Sequence, residues 1–445
     1  MILVGCGTHA QAQAPIVVHG GGGGGGWIAG APIQAQIHVG AGGETFVGVW
    51  IDAPQAIEAS SARAPMALSL LVDTSGSMAG EKIQNAQMAA ASMLESLQEG
   101  DIVSLYAFSS GVTELAPPTV LNSASRRGLL QRVRELYAGG GTNMWDGMQV
   151  AYSRMGQAPS SHPIRRIVVI SDGQANIGPS DPASFGQLAA NGTEFGAQIS
   201  AIGVGLDYDE RLLGTLAVRS AGRMYHLEHS SQMARILQNE IGLLSQTVAT
   251  NAYIEIVPAP GVVILEGLSL GAALEDGRLR LPLGAVYGGQ ERDVLFRAQV
   301  PTEGVGDRPL ATARLVYTSP GSDGTQEQRA DLRYRVTNNR RAAARSENGR
   351  VAGMVASHQA VLAQTEAAAM LEAGRNEEAA DRMVVAERRL REAAAAAPAP
   401  ARRRMMRQAG GLGRNAGRAR SARTRESQRG AALEAGDMAM ESAGF

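Results

Sequence analysis

The sequence is poor in several residue types that usually reveal the class of a protein. It has one cysteine, Cys6, so no intrachain disulfide can form. Aromatic residues make up only 4% of the chain, and its hydrophobic cores must therefore be aliphatic. No apolar run reaches the roughly 18 residues of a membrane-spanning helix, so no such helix is expected. With 445 residues, of which 44% are hydrophobic, the chain is long enough for about two to four domains.

Lysine is also nearly absent, since Lys82 is the only one and every other basic residue is arginine. We interpret this preference as a reflection of genomic base composition. The net charge of −1 hides an uneven distribution, because residues 401–429 contain ten Arg and one Glu. The same segment has no aromatic residues that would stack on bases. It therefore predicts a solvated basic tail without a specific nucleic-acid partner.

The motifs of several enzyme classes are missing as well. There is no G-x-S-x-G nucleophile elbow, no G-K-[ST] phosphate loop and no H-E-x-x-H metal motif. Because no nucleophile lies in a recognisable pattern with a base, the sequence predicts a protein that is not an enzyme.

Residues 64–247 alternate between apolar strands and amphipathic helices. Strands are expected at 66–73, 101–108, 165–171, 197–204 and 223–228, and helices at 81–97, 124–137, 143–156, 182–193, 209–219 and 231–246. Helices between successive strands imply crossover connections and a mainly parallel sheet covered on both faces. The segment therefore predicts a doubly wound α/β domain, in which ligands bind at the carboxyl ends of the strands.

Strands with alternating apolar and polar residues flank this segment on both sides. The alternation occurs at 33–39 before it, and at 279–283 and 332–336 after it. Two strands alone do not form a stable sheet, so the early strands need partners from the later part of the chain. We expect residues 32–63 and 248–337 to form one antiparallel β-sandwich, into which the α/β domain is inserted.

The two ends of the chain have biased compositions. Residues 1–31 predict a leader and a flexible tether, because seven consecutive glycines occupy positions 20–26. Residues 338–397 are rich in Ala, Glu and Arg at helical spacing and predict a helical hairpin that turns at 373–376. Residues 398–445 have few large apolar side chains and predict a disordered Arg-rich tail.

An acid and two hydroxyls follow the first predicted strand of the α/β domain. Asp73, Ser75 and Ser77 lie within five residues, directly after the apolar run at 68–72. Oxygen side chains at the carboxyl end of a parallel strand suit a hard cation. The D-x-S-x-S spacing resembles the metal-ion-dependent adhesion site of von Willebrand factor type A domains.

The remaining parts of that pattern occur further along the chain. A threonine on a glycine-rich loop is present as Thr142, and an aspartate that ends a central strand is present as Asp172. The resemblance covers residues 64–247. It implies that Ser75, Ser77 and Thr142 bind the ion directly, while Asp73 and Asp172 act through waters or orient hydroxyls. A ligand set without His or Cys favours Mg²⁺, with Mn²⁺ and Ca²⁺ as alternatives, over Zn²⁺.

This resemblance also implies a function. A cation held mostly by neutral ligands attracts a carboxylate, so we expect a Mg²⁺-dependent module that binds a protein partner through an acidic side chain. A domain of this type can also keep the metal without using it for adhesion. The order of sandwich strands, type A domain and helices resembles bacterial envelope proteins and inter-alpha-trypsin inhibitor heavy chains.

The N-terminal sequence predicts the cellular location of the protein. Leu3-Val4-Gly5-Cys6 resembles the lipobox of bacterial lipoproteins, which predicts lipid attachment at Cys6 and a location at the cell envelope, on the membrane or in the periplasm. The alternative is a cytoplasmic assembly factor that works with a MoxR-like AAA+ ATPase, as some type A domain proteins do.

Overall fold

The structure, a computed structural model, describes residues 26–55, 64–227, 232, 236, 240, 242–244, 246–320 and 324–444. Most of the expected leader at 1–31, including Cys6, lies outside these residues. The tether prediction is wrong for its last part, because a strand begins at Ile28 and is buried along its whole length. Its apolar residues form the edge strand of one sheet of the sandwich.

The strands and helices alternate along the chain as follows. The strands are β1 (Ile28–Pro32), β2 (Gln36–His38), β3 (Glu44–Asp52), β4 (Met66–Asp73), β5 (Ile102–Phe108), β6 (Val112–Val120), β7 (Ile164–Ser171), β8 (Ala197–Val204), β9 (Arg223–Leu227), β10 (Thr247–Pro258), β11 (Val263–Gly267), β12 (Ala273–Glu275), β13 (Arg278–Tyr287), β14 (Glu291–Gln299), β15 (Gly306–Thr318) and β16 (Thr325–Thr337). The helices are α1 (Glu81–Ser96), α2 (Ser123–Arg134), α3 (Met144–Gly156), α4 (Pro182–Gly192), α5 (Glu210–Arg219), α6 (Arg340–Ala344), α7 (Gly349–Glu372), α8 (Asn376–Ala396), α9 (Ala399–Ser421) and α10 (Arg425–Ala443).

The α/β domain is built on one sheet with strand order β6-β5-β4-β7-β8-β9. All neighbouring strands are parallel except the β5–β6 pair. The five predicted strands match β4, β5, β7, β8 and β9 to within one residue at each end, which confirms the fold class. The antiparallel edge strand β6 was not predicted. It contains Pro117 and Pro118, which an edge strand tolerates because one side needs no ladder donor.

The antiparallel sandwich consists of the sheets β1-β3-β14-β11 and β12-β13-β10-β15-β16-β2. β3 pairs with β14 from Glu44↔Gln299 to Asp52↔Glu291, and β2 pairs with β16 in parallel. Strands from before the α/β domain thus join strands that follow it. The predicted insertion of the α/β domain into a sandwich is confirmed.

The cores are aliphatic, as the low aromatic content requires. One face of the parallel sheet packs Leu68, Leu70 and Val72 against α1, and the other packs Leu71 and Val169 against α3 and α5. Helices cover both faces, so successive strand residues are buried on opposite sides of the same sheet.

The C-terminal part of the chain forms a larger helical unit than the sequence suggested. The predicted hairpin at 338–397 corresponds to α7 and α8, which are joined by a turn at 373–375. The prediction of a disordered tail at 398–445 is wrong, because α9 and α10 occupy most of that segment. No helix within the described ranges is both long and apolar enough to cross a bilayer.

Small residues and ion pairs explain why this Arg-rich segment is ordered. Ala409, Leu412 and Ala416 lie on one buried face of α9, where small side chains allow the neighbouring helices to approach closely. Several arginines on the other faces have acidic partners. Arg404 bonds Glu291 of the sandwich at 2.8 Å, and similar pairs join α9 to α8 and α10. The disorder prediction considered side-chain size and charge within the segment alone and could not include these partners.

Helix α10 packs on the α/β domain rather than on the other helices alone. Leu433 is fully buried in the core that lies beneath α3 and α5. The guanidinium of Arg429 donates to the backbone oxygens of Leu206 at 3.0 Å and Tyr208 at 3.1 Å. A Cβ on Gly436 would lie 1.9 Å from Oε1 of Glu210, so this carboxylate rests directly against the helix backbone.

Two carboxyl groups at this contact make its stability depend on pH. Burial, followed by the charges of Glu210 and Glu441, raises the pKa of Asp437 to about 8. Burial also raises the pKa of Glu210 to about 7, against the opposing charge of Arg429. The folded protein therefore holds these protons more tightly than the unfolded chain. Their contribution to stability falls as the pH rises from about 4 to about 8.

We expect Asp437→Asn to stabilise the protein at high pH, because it removes a charge that burial disfavours. The gain in unfolding free energy should be larger at pH 9 than at pH 5 by on the order of 2 kcal/mol. Urea denaturation at the two pH values measures it. The control is Asp276→Asn, at an exposed turn. A gain for Asp437→Asn that does not change with pH would contradict this account.

Candidate functional site

Strand β4 brings three of the predicted site residues to one end of the sheet. It lies between β5 and β7 and is buried along its whole length, so Asp73 at its end has no solvent contact. Oδ1 of Asp73 accepts a hydrogen bond from the Ser75 N–H at 2.8 Å. A short 3₁₀ turn, Gly76–Met78, then folds the chain back and places the Oγ atoms of Ser75 and Ser77 3.0 Å apart.

The glycine-rich loop before α3 brings Thr142 to the same end. The Gly76 N–H donates to the Gly140 oxygen at 3.0 Å, which joins this loop to the one after β4. The Thr142 N–H donates to Oδ1 of Asn176 at 2.8 Å, and the Thr142 oxygen accepts from the backbone of 176 and 177. Thr142 is 2% exposed and is thus held between the loops that follow β4 and β7. Gly140 has φ +84° and approaches Ser110 too closely for a Cβ.

Strand β7 supplies the second carboxylate. Asp172 follows its last residue, Ser171, and both are fully buried. The Ser171 hydroxyl donates to Oδ2 of Asp73 at 2.5 Å and accepts from the Gly173 N–H at 2.7 Å. Ser171 therefore connects the ends of the two neighbouring strands and fixes the orientation of the Asp73 carboxylate.

The electrostatics of the site are those of a buried acidic pair. Burial raises the pKa of Asp73 to about 6, the hydrogen bonds from Ser171 and Ser75 oppose this shift, and the charge of Asp172 adds to it. A cationic group is also present, because Nζ of Lys82 lies 3.3 Å from Oδ2 of Asp172. The two buried carboxylates are accompanied by one ammonium, which contacts Asp172, and the site is suited to receive a further positive charge.

The donor atoms fit a small hard cation. The Oγ–Oγ separation of 3.0 Å between Ser75 and Ser77 is that of two neighbouring corners of an octahedron with Mg–O bonds of about 2.1 Å. Throughout the described ranges, no three His, Cys, Asp or Glu side chains are arranged to hold a metal ion. A metal site here would therefore have to combine carboxylate with hydroxyl oxygens, which favours Mg²⁺, Mn²⁺ or Ca²⁺ over Zn²⁺.

Sequence reasoning named five residues at this sheet edge and missed two others. Asp73 ends β4, and Ser75, Ser77, Thr142 and Asp172 lie on the three adjoining loops. Ser171 and Lys82 were missed. A signal for Lys82 existed, since side chains in the first turn of a helix tilt toward its N-terminus, which here lies beside the site loop. Cys6, the other predicted site, lies outside the described residues.

A mainly parallel sheet with an acidic, hydroxyl-rich site at its carboxyl edge defines a Rossmann-like α/β binding domain. Comparison with known proteins identifies this domain, because residues 68–174 match the von Willebrand factor type A domain. The chain is therefore a von Willebrand factor type A domain protein, related to YfbK and to inter-alpha-trypsin inhibitor heavy chains.

The relatives resemble only part of the chain. Escherichia coli (strain K12) YfbK is 29% identical over 196 residues, or 43% of this chain and 34% of YfbK. Rat inter-alpha-trypsin inhibitor heavy chain H3 is 26% identical over 200 residues, which cover 43% of this chain and 22% of the heavy chain. The matches thus span about a third or less of the length of these two relatives.

Two solved structures share the fold over nearly the whole chain. A von Willebrand factor type A protein from Catenulispora acidiphila has a TM-score of 0.71 and 18% identity, and the match covers 98% of this chain and 99% of that one. The ArnB paralog VWA2 from Sulfolobus acidocaldarius has a TM-score of 0.61 and 17% identity, with 94% and 98% covered. The similarity therefore includes the sandwich and helices as well as the type A domain.

We expect Ser171→Ala to destabilise the metal-free protein by about 2 kcal/mol, because it leaves Oδ2 of Asp73 and the Gly173 N–H without their partner in a buried site. Ser77→Ala removes an exposed hydroxyl that water can replace and should cost less than about 0.5 kcal/mol. Denaturant unfolding in EDTA compares the two variants. Equal midpoints would show that the Ser171 bridge does not hold the strand ends together.

Proposed function

We propose that the type A domain holds a Mg²⁺ ion and uses it to bind a carboxylate of a protein partner. Type A domains are typically protein-binding modules, which supports the general class. The observation that carries the finer proposal is the pair of Ser75 and Ser77 hydroxyls, set 3.0 Å apart beside two buried carboxylates. In this proposal Ser75, Ser77 and Thr142 bind the ion directly. Asp73 and Asp172 act through waters or orient the hydroxyls.

Differences in exposure indicate the side from which a partner would approach. Asp73, Ser75, Thr142 and Asp172 are each no more than 2% exposed, whereas Ser77 is exposed to solvent. An ion held by these residues would therefore face solvent on the Ser77 side alone. Neutral hydroxyl ligands leave its charge largely uncompensated there, so an acidic side chain is the group that it would attract most strongly. The chain would act by binding and not by catalysis.

Magnesium should stabilise the protein, because an ion that binds only the folded state shifts the unfolding equilibrium by mass action. At about 100 times the dissociation constant the gain is about 2.7 kcal/mol. Thr142→Val removes one ligand oxygen with little change of shape, and should weaken Mg²⁺ binding by about tenfold or more. Calorimetric titration and thermal melts with Mg²⁺ or EDTA measure both effects.

The matched control is the half-buried Thr215→Val, since the hydroxyl of Thr215 donates to the backbone oxygen of Arg211 within α5. It should bind Mg²⁺ as the wild type does. Affinity capture of partners in Mg²⁺ and in EDTA then tests the binding role. A wild-type protein that melts identically in Mg²⁺ and EDTA, and captures the same partners in both, would refute the metal-dependent function without affecting the fold.

We also propose that the protein is anchored at the cell envelope through a lipid on Cys6. The support is the lipobox-like sequence that ends at Cys6, followed by the glycine run that would separate the folded part from the bilayer. The wild type expressed in a bacterial host should carry acyl groups at Cys6 and sediment with membranes, and Cys6→Ser should become soluble. Mass spectrometry and fractionation measure this, and an unchanged membrane fraction for Cys6→Ser would argue against the anchor.

A further inference from the structure

The only lysine of the chain lies at the candidate metal site. Lys82 is the second residue of α1, directly after the loop that carries Ser75 and Ser77. Its ammonium reaches Oδ2 of Asp172 at 3.3 Å, and its side chain is 23% exposed whereas that of Asp172 is fully buried. The contact pairs a solvent-accessible cation with a carboxylate that has no access to water.

The backbone around the lysine makes room for its side chain. Gly205, which follows β8, has φ +82°, and a Cβ there would lie 2.9 Å from Cε of Lys82. The aliphatic stem thus crosses the end of β8 over a residue without a side chain. An arginine would bring a wide planar guanidinium to this narrow passage, whereas an ammonium is a compact point charge. A chain that uses arginine everywhere else has its one lysine where a compact cation is needed.

A divalent ion bound by Ser75, Ser77 and Thr142 would lie beside the same Asp172 carboxylate that the ammonium contacts. Two cations at one carboxylate repel each other, and repulsion is strong where burial lowers the local dielectric. The ion can bind fully only if the ammonium moves away or if both positive charges are tolerated. Either case weakens the affinity for the ion.

We propose that Lys82 is an internal cation that competes with the divalent ion for Asp172 and thereby sets the metal affinity of the site. This inference rests on the proposed metal-binding function. In the ion-free protein, the ammonium compensates the buried charge of Asp172 and keeps the strand end folded. When the ion binds, it takes over that role, and the protein needs a higher ion concentration than it would without the lysine.

The test compares Lys82→Met, which keeps the aliphatic stem and removes the charge, with the wild type. Arg132→Met, on the exposed face of α2, controls for the change in net charge. Mg²⁺ titration by calorimetry at constant ionic strength is the main measurement. We expect Lys82→Met to bind Mg²⁺ about tenfold more tightly than the wild type, and at least threefold. Arg132→Met should stay within threefold of the wild type.

A second measurement does not depend on metal binding. In EDTA, Lys82→Met should lower the melting temperature by several degrees, since it leaves Asp172 buried without a counter-charge. The double variant Lys82→Met with Asp172→Asn should recover most of this loss, because neither charge remains. A structural salt bridge alone would show this loss and recovery but no change in Mg²⁺ affinity.

The outcomes separate the two proposals. Tighter Mg²⁺ binding by Lys82→Met, together with the loss and recovery of stability in EDTA, supports the inference. Equal Mg²⁺ affinities within threefold for the wild type and Lys82→Met overturn the competition and leave the metal site standing. An absence of Mg²⁺ binding by both proteins overturns the competition and the proposed function together.

Discussion

The burial of two carboxylates at one end of a parallel sheet is the constraint on which the site depends. Asp73 and Asp172 have no solvent contact, and an isolated charge in such a place is costly. The two carboxylates are stabilised by different groups. Asp73 is held by hydrogen bonds from Ser171 and the Ser75 N–H, whereas Asp172 is paired with the Lys82 ammonium. The glycine loop and the 3₁₀ turn bring Thr142, Ser75 and Ser77 to the same end of the sheet.

Other parts of the molecule are joined to the site by hydrogen bonds to backbone oxygens. The Asp209 N–H donates to the Asp172 oxygen at 2.9 Å, and the preceding loop is held by Arg429 of α10 through the oxygens of Leu206 and Tyr208. The C-terminal helices therefore support the loop that adjoins the second carboxylate. At the far end of the sheet, Arg166 donates to the hydroxyl of Tyr287 at 3.0 Å and joins the α/β domain to the sandwich. The inserted domain is thus fixed at both ends of its sheet.

The sequence predicted the α/β domain well because its signals are local. Apolar runs of strand length alternate with amphipathic helices, and burial on both faces leaves little freedom in how such elements pack. The positions of candidate site residues such as Asp73 and Thr142 were also predictable, because each lies in a short segment next to a strand or helix end. The edge strand β6 was missed because two prolines interrupt its sequence, and its pairing with β5 reveals the strand.

The sequence by itself determined most elements of the α/β domain, the insertion of this domain into the sandwich and the set of candidate site residues, because the signals for each lie in short segments. Tertiary structure decided what depends on partners distant in the chain. The Arg-rich segment forms α9 and α10 because small residues of the neighbouring helices pack against it and acidic residues pair with its arginines. Glu291, for example, pairs with Arg404. Lys82 reaches Asp172 across 90 positions of sequence, and only the fold could place an ammonium against that buried carboxylate.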